Sequence, residues 1–309
     1  MVSATRSGAF YALTAYILWA VAPVYFKVMN DVSAPELLSH RIIWSFLLTL
    51  GLIFAFRRRA ALMTALRSSR TRWNLLASTT LIGFNWGLFI WAVQSNYMLS
   101  ASLGYYINPL MNILLGMIFF KDRLDKVRTV AALLCVAAVS FELIQFGRLP
   151  WVALMLATSF ALYGLVRKKI GVDSFTGMAL ETGLLLPVAI GYLLFTTSAT
   201  SNLSVNSWSV NALLFAAGPI TMVPLMCFAA AANRISLTTL GFFQYIAPSG
   251  MFLLAVFVYG ETLSPGKLVT FGLIWSALLL LTLDSLRTLN RNQSAKRKLK
   301  AANVAASPK

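Results

Sequence analysis

Apolar residues collect into stretches of near-helical-span length along almost the whole chain, separated by short polar or charged breaks. Runs that are apolar on every face predict helices lying in lipid, where a hydrocarbon thickness of roughly 30 Å takes about 20 residues. They fall at 8–28, 36–56, 74–94, 100–120, 129–146, 151–166, 175–197, 209–232, 239–259 and 267–286. The sixth is short because Arg167, Lys168 and Lys169 follow at once, so it must stand upright or let those side chains snorkel to the interface. Ten such spans consume about 200 residues and leave no room for a soluble catalytic domain. In the first span, Ala20, Val21 and Ala22 have the small-residue character of a signal cleavage site. Pro23, Tyr25 and Phe26 carry the segment on, which predicts a retained helix.

The second five runs resemble the first five in order. Ala92 to Leu103 (AVQSNYMLSASL) aligns on Ala229 to Leu240 (AAAANRISLTTL), with Asn96 on Asn233. LGYYI then meets LGFFQYI, a two-residue insertion sets Pro109 on Pro248, and FFKDRL ends the helix where VYGETL ends its counterpart. A fainter match sets Lys27 on Lys168 and His40 on Glu181. An odd number of helices per repeat forces opposite orientations across the bilayer, the arrangement used by alternating-access carriers with substrate near the midplane. The expected fold is therefore an all-α integral membrane protein of ten transmembrane helices in two inverted repeats, 8–146 and 151–286. A short N-terminus, 1–7, and a basic tail, 287–309, expected to be disordered, complete it.

Composition agrees: 59% of the 309 residues are hydrophobic and 11% charged, with a mean hydropathy of +0.75. The net charge of +17 raises nucleic acid as a partner, but its distribution removes that reading. With the N-terminus in the cytoplasm, the inner loops and tail hold every Lys and Arg except Lys27, Arg41, Arg148 and Lys267. That bias sets both termini in the cytoplasm, and basic residues scattered over many loops make no nucleic-acid face. Lys296, Arg297, Lys298 and Lys300 add attraction to anionic headgroups. Cys135 and Cys227 both sit inside spans and imply no disulfide or metal framework.

An ionisable group within a span costs about 2.5 to 3.5 kcal/mol on insertion scales, so each such group needs a partner or an aqueous cavity. His40 and Arg41 lie in the second span, and Glu36 lies four residues before His40, on the same helical face and able to pair with it. Either His40 and Arg41 face a central cavity and offer positive charge to an anionic or zwitterionic substrate, or they form an interfacial ion pair that orients the helix. Glu181, in the seventh span, either binds a substrate amine or exchanges a proton, or makes a structural hydrogen bond to a neighbouring helix. The first alternative expects Glu181→Gln to abolish pH-dependent transport while the protein stays folded. Glu142 and Gln145 read as wet and interfacial.

Neutral polar and aromatic residues cluster in the repeated pair of helices. They are Asn85, Trp86 and Trp91 in the third span, Tyr105, Tyr106, Asn108 and Asn112 in the fourth, and Gln244 and Tyr245 in the ninth. Such a set suits a small, partly apolar solute, although Trp and Tyr near span ends also serve as interfacial belts. Of the prolines inside spans (Pro23, Pro109, Pro187, Pro219, Pro224 and Pro248), Pro109 and Pro248 occupy equivalent repeat positions and are the candidate hinges.

Ten helices in two five-helix repeats, each fourth helix carrying a central proline and ending in a Gly-Glu-like turn, resemble the EamA-type branch of the drug/metabolite transporter superfamily. The turns here are Gly260, Glu261, Thr262, Leu263 and, departing from the pattern, Lys121, Asp122, Arg123, Leu124. SHRIIWSF (39–46), GFNWGLFIWAV (83–93), ASLGYYINPL (101–110), YGLVRKKI (163–170) and LGFFQYIAP (240–248) are similar to the RarD group within it. Its members carry the label of chloramphenicol-sensitive or chloramphenicol-resistance permeases. The resemblance implies an inner-membrane permease and points to drug or metabolite efflux. An amino-acid or related metabolite importer or exchanger competes within transport, and a non-transporting receptor or structural protein outside it. Enzyme motifs of the G-x-S-x-G or H-E-x-x-H kind are absent, one histidine cannot make a two-histidine site, and no Walker A loop is present. What remains is a secondary carrier of a small organic solute, without a cofactor, coupled to protons or exchanging solutes.

Overall fold

A computed structural model gives the fold and describes residues 2–95, 97–147, 149–196, 198, 200, 202–260 and 265–305. Asn96, Arg148, Glu261, Thr262 and Leu263, named above, lie outside these residues. Among the described residues there are twelve helical segments and no strand. They are α1 Val2–Val28, α2 Ala34–Ala55, α3 Arg59–Arg67, α4 Ser69–Gln94, α5 Met98–Phe120, α6 Lys126–Phe146, α7 Trp151–Ile170, α8 Ser174–Phe195, α9 Trp208–Ala232, α10 Leu237–Gln244, α11 Ile246–Phe257 and α12 Pro265–Ala305. Nine spans among them, α10 and α11 counting as one, are long and apolar enough to cross a membrane. The protein is an all-α membrane protein.

Helix starts follow from short polar side chains that accept the first free amides. Ser68 caps α4 through the Thr71 amide, Asp125 caps α6 through Arg128, Asp173 caps α8 through Thr176, Ser207 caps α9 through Val210 and Ser236 caps α10 through Thr239. The α5 C-terminus ends on Lys121 in the left-handed region at φ 56°, and its repeat counterpart Gly260 has φ 65°. The departure from Gly at Lys121 thus leaves the backbone turn unchanged, at the steric cost a Cβ meets there.

Three features differ from the sequence reading. A short helix, α3, interrupts the loop after α2; its Arg59 and Arg67 bracket a mixed apolar and polar face. The ninth span is two helices meeting at Tyr245, three residues before Pro248, whose missing amide leaves the Gln244 carbonyl without its helical donor. The last span does not end at 286: α12 runs on to Ala305, because a helix already nucleated extends readily through Lys, Arg, Leu and Ala. The remaining expected span, α7, is not among the nine that qualify by length and hydropathy. It is instead thickly covered by protein, with ten of its twenty residues buried, so it has little need of a lipid-compatible surface.

Two compact units divide the chain. The first comprises 1–122 and 148–262, the second 123–147 and 263–309. In the second, α6 packs on α12, and Glu142 joins them by accepting from Lys267 Nζ (3.1 Å) and Thr270 Oγ1 (2.7 Å). In the first, α5 packs on α7 and α10, α2 on α8 and α9, α4 on α7 and α8, and α1 on α9 and α11. Its apolar centre is built around Tyr16, Tyr163, Phe228, Leu237 and Leu240, all buried, with the Tyr163 and Phe228 rings stacked at 6.0 Å.

Loop contacts in the first unit sort into two sets. One set joins Tyr11 to Arg234 (5.0 Å, cation over ring), Arg58 to Asp173 (3.4 Å), Asn233 Nδ2 to the Val172 carbonyl (3.1 Å) and the Thr238 amide to Asp122 (3.2 Å). The other joins Glu36 to the hydroxyls of Ser198 and Thr200, Lys27 to the Tyr259 ring (3.6 Å), and Trp91, Tyr97 and Trp151 to one another.

Candidate functional site

Arg41 stands on the third turn of α2, roughly 10 Å along the axis from the helix start. It reaches its partners because α2 and α9 approach closely: a Cβ at Gly218 would lie 2.6 Å from the Trp44 Cβ, and Ser45 Oγ donates to the Gly218 carbonyl at 3.1 Å. Three residues on, Thr221 accepts from Arg41 Nε at 2.7 Å and donates to the Ala217 carbonyl at 2.8 Å, which fixes its hydroxyl as the acceptor. The guanidinium carbon lies 5.5 Å from the Phe26 ring centroid and 5.4 Å from that of Trp86. The hydroxyls of Tyr25 and Tyr105 are within electrostatic reach of it.

No carboxylate lies within ion-pair distance of Arg41, and Nη1 and Nη2 have no protein partner, among the described residues. Arg41 is half-buried and Tyr105 is 42% exposed, so this group is reachable rather than packed away. A cation held between helices by aromatic faces, with its hydrogen-bonding fork unused, can take an anionic group from outside the protein.

Arg41, Trp86 and Tyr105 are thus the expected site residues that the fold brings together. The others are engaged elsewhere. His40, one residue and about 100° around the helix from Arg41, is 3% exposed, and its Nε2 has no hydrogen-bond partner among the described residues. The expected Glu36–His40 pair is not made: the buried Glu36 carboxylate takes hydroxyl donors from Ser198 and Thr200 instead. Two hydroxyls far along the chain satisfy the acid without a histidine cation, whose burial would add a desolvation cost. Asn85 donates to the Leu156 carbonyl (2.8 Å) and Ser159 Oγ (2.9 Å), tying α4 to α7. Asn112, beside Asn108, donates to Gln244 Oε1, and the buried Tyr245 hydroxyl donates to the Tyr106 carbonyl at 3.3 Å. These amides and tyrosines join α5 to α10 and the turn that follows, where Gly241 admits the Pro109 carbonyl to within 2.7 Å of a would-be Cβ.

Glu181 is likewise engaged by protein groups. Its carboxylate accepts from Ser78 Oγ (2.6 Å) and Tyr163 Oη (3.1 Å) and pairs with Arg167 Nη1 at 3.6 Å, in a cluster where Arg167 is 1% exposed. Gly177 makes the room: a Cβ there would sit 1.8 Å from Arg167 Nη1. Arg167 is therefore not the snorkelling loop residue its position suggested. Lys168 next to it donates to the Ala232 and Ile235 carbonyls and closes the α9 end. Sequence reasoning missed Phe26, Thr221 and Arg167; a polar Thr between Pro219 and Pro224, and an Arg still within helical phase of the apolar run, were the available signals.

Nine candidate spans and an all-α fold define the class of multi-pass helical membrane proteins. Residues 6–143 match the EamA-like transporter family. The chain is 51% identical to Protein RarD of Escherichia coli (strain K12), over 93% of this chain and 97% of that protein. It is 50% identical to an uncharacterized transporter of Vibrio cholerae over 91% and 94%, and 29% identical to the chloramphenicol-sensitive protein RarD of Pseudomonas aeruginosa over 92% and 96%. A crystal structure only 18% identical shares the fold, with a TM-score of 0.70 over 90% of this chain and 98% of the other. The chain belongs to the RarD group of the EamA-like transporter family, bacterial multi-pass membrane transporters rather than enzymes.

Proposed function

We propose that the protein is a secondary carrier that moves a small organic solute across the bacterial inner membrane by alternating access, with Arg41, Trp86 and Tyr105 at the solute site. The observation that carries the reading is the Arg41 guanidinium, which sits between apolar helices with two terminal nitrogens free and no acid beside it among the described residues. A charge so placed is costly unless something binds or hydrates it.

Two inverted five-helix repeats, 8–146 and 151–286, with both termini cytoplasmic, are part of the proposal. Taking α10 and α11 as one span, the neighbour pattern in the first unit supports them: exchanging each span with the one five later turns α4·α7 into α9·α1 and α5·α7 into α11·α1. The same exchange turns α2·α9 into α8·α4. The two sets of loop contacts support opposite orientation, since α1 begins beside Arg234 while α7 begins beside Trp91 and Tyr97. Efflux of a drug or metabolite is the direction proposed, and the name of the chloramphenicol-sensitive Pseudomonas aeruginosa relative adds chloramphenicol to the solutes to be tried.

Purified protein in sealed proteoliposomes, loaded or surrounded with labelled drugs, amino acids, organic acids and phosphorylated metabolites, tests this. Saturable flux of one class that Arg41→Gln removes is the expected outcome. Failure across all classes would favour a receptor or structural role.

A further inference from the structure

We infer that the solute bound at Arg41 is a monoanionic carboxylate on a flat aromatic body, a reading that rests on the carrier proposal above but concerns binding alone. The charge comes first. Arg41 brings one positive charge, and Lys27, next to Phe26 in the chain, is held over the Tyr259 ring at 3.6 Å. His40 is turned into the protein. One carboxylate balances the site, whereas a phosphate dianion would leave a buried negative charge in excess.

Geometry then selects the oxygens. Thr221 occupies Nε at 2.7 Å and is itself anchored on the Ala217 carbonyl. The side-on edge of the guanidinium is consumed, so the edge left is the one bearing Nη1 and Nη2, a planar fork that fits the two oxygens of a single carboxylate. The guanidinium carbon lies over the Phe26 and Trp86 rings at 5.5 Å and 5.4 Å, and Tyr105 is 42% exposed, so the surroundings of the cation are aromatic. A flat ring attached to the carboxylate can stack there. An α-amino group would find no carboxylate within the set, so an aromatic acid fits better than an aromatic amino acid.

Thr221 is a positioning residue, and its variant separates aim from packing. The test is thermal stabilisation of the purified protein in detergent by phenylacetate and 1-naphthoate, each against its neutral amide, phenylacetamide and 1-naphthamide. The expected result is that the acids stabilise at concentrations about tenfold or more below the amides, the preference of a charge-assisted pair. Arg41→Gln should erase that preference. Arg41→Lys should keep its sign and lose affinity, and Thr221→Val should reduce the acid-to-amide ratio while leaving the unliganded midpoint near wild type. Equal stabilisation by acid and amide, stabilisation by neither pair, or an acid preference that survives Arg41→Gln would overturn the inference. Acid binding without proteoliposome flux would sink the carrier reading and leave the ligand class standing; flux of neutral solutes with no acid preference would do the reverse.

Discussion

Neighbouring residues on one helix can have opposite fates, and His40 and Arg41 show why. A step of about 100° turns one into packed protein and the other towards Phe26, Trp86 and Tyr105. The sequence marked both as ionisable groups within a span, and that much was legible. Which of them stays free was not, because the answer depends on Thr221 and on the Ser198 and Thr200 hydroxyls that donate to Glu36, all of them more than 150 residues away. The same holds for Glu181, whose partners Ser78, Tyr163 and Arg167 come from two other helices. Removing one member of a buried pair leaves the other charge uncompensated. Glu181→Gln is therefore expected to lower stability by about 3 to 5 kcal/mol, against the earlier expectation of an intact fold. An Arg167→Met, Glu181→Met double variant should be less destabilised than Glu181→Gln, because no stranded charge remains. Thermal unfolding of the three proteins in detergent checks the order; a double variant as unstable as the single would show that packing, not charge, holds the cluster.

At the scale of elements, apolar runs located the long helices well because length and the near absence of charge are read directly from composition. They could not show α3 or the break at Tyr245, since a change of helix direction leaves hydropathy unaltered. Pro248 and the two residues inserted before it signalled it. Pro109, its expected repeat counterpart, lies in an unbroken α5, in a stretch that lacks the two residues inserted before Pro248. Pro248→Ala restores the amide that Gln244 lacks and is expected to join α10 and α11, raise the unfolding midpoint and slow flux. Faster flux or an unchanged midpoint would remove the hinge role. The approach of α2 to α9 is a second element-scale device. Gly218→Ala places a Cβ 2.6 Å from that of Trp44 and 2.9 Å from its carbonyl carbon, contacts that only a shift of α2 can relieve. A loss of about 1 to 3 kcal/mol is expected, together with weaker binding at Arg41 as Thr221 moves away from Nε. Destabilisation with binding unchanged would show that the helix spacing does not set the site.

For the whole molecule, the order of spans, the repeat and the distribution of Lys and Arg were readable before any coordinates, and the family match at 6–143 together with relatives near 50% identity agrees on the kind of protein. What stayed hidden is which helices touch. Spans of one half lie mainly against spans of the other, α5 against α7 and α10, α2 against α8 and α9, so the site at Arg41 draws on α1, α2, α4, α5 and α9, and no local pattern announces it. Mixed packing of this sort is what the proposed carrier would use to open a site to one face and then the other. The most direct test is the reactivity of Tyr105→Cys, in a background lacking Cys135 and Cys227, towards a membrane-impermeant thiol reagent added to right-side-out or inside-out vesicles. Alternating access requires labelling from both faces, with an aromatic carboxylate slowing it from each. Labelling from one face alone, or from neither, would contradict a site that the two halves expose in turn.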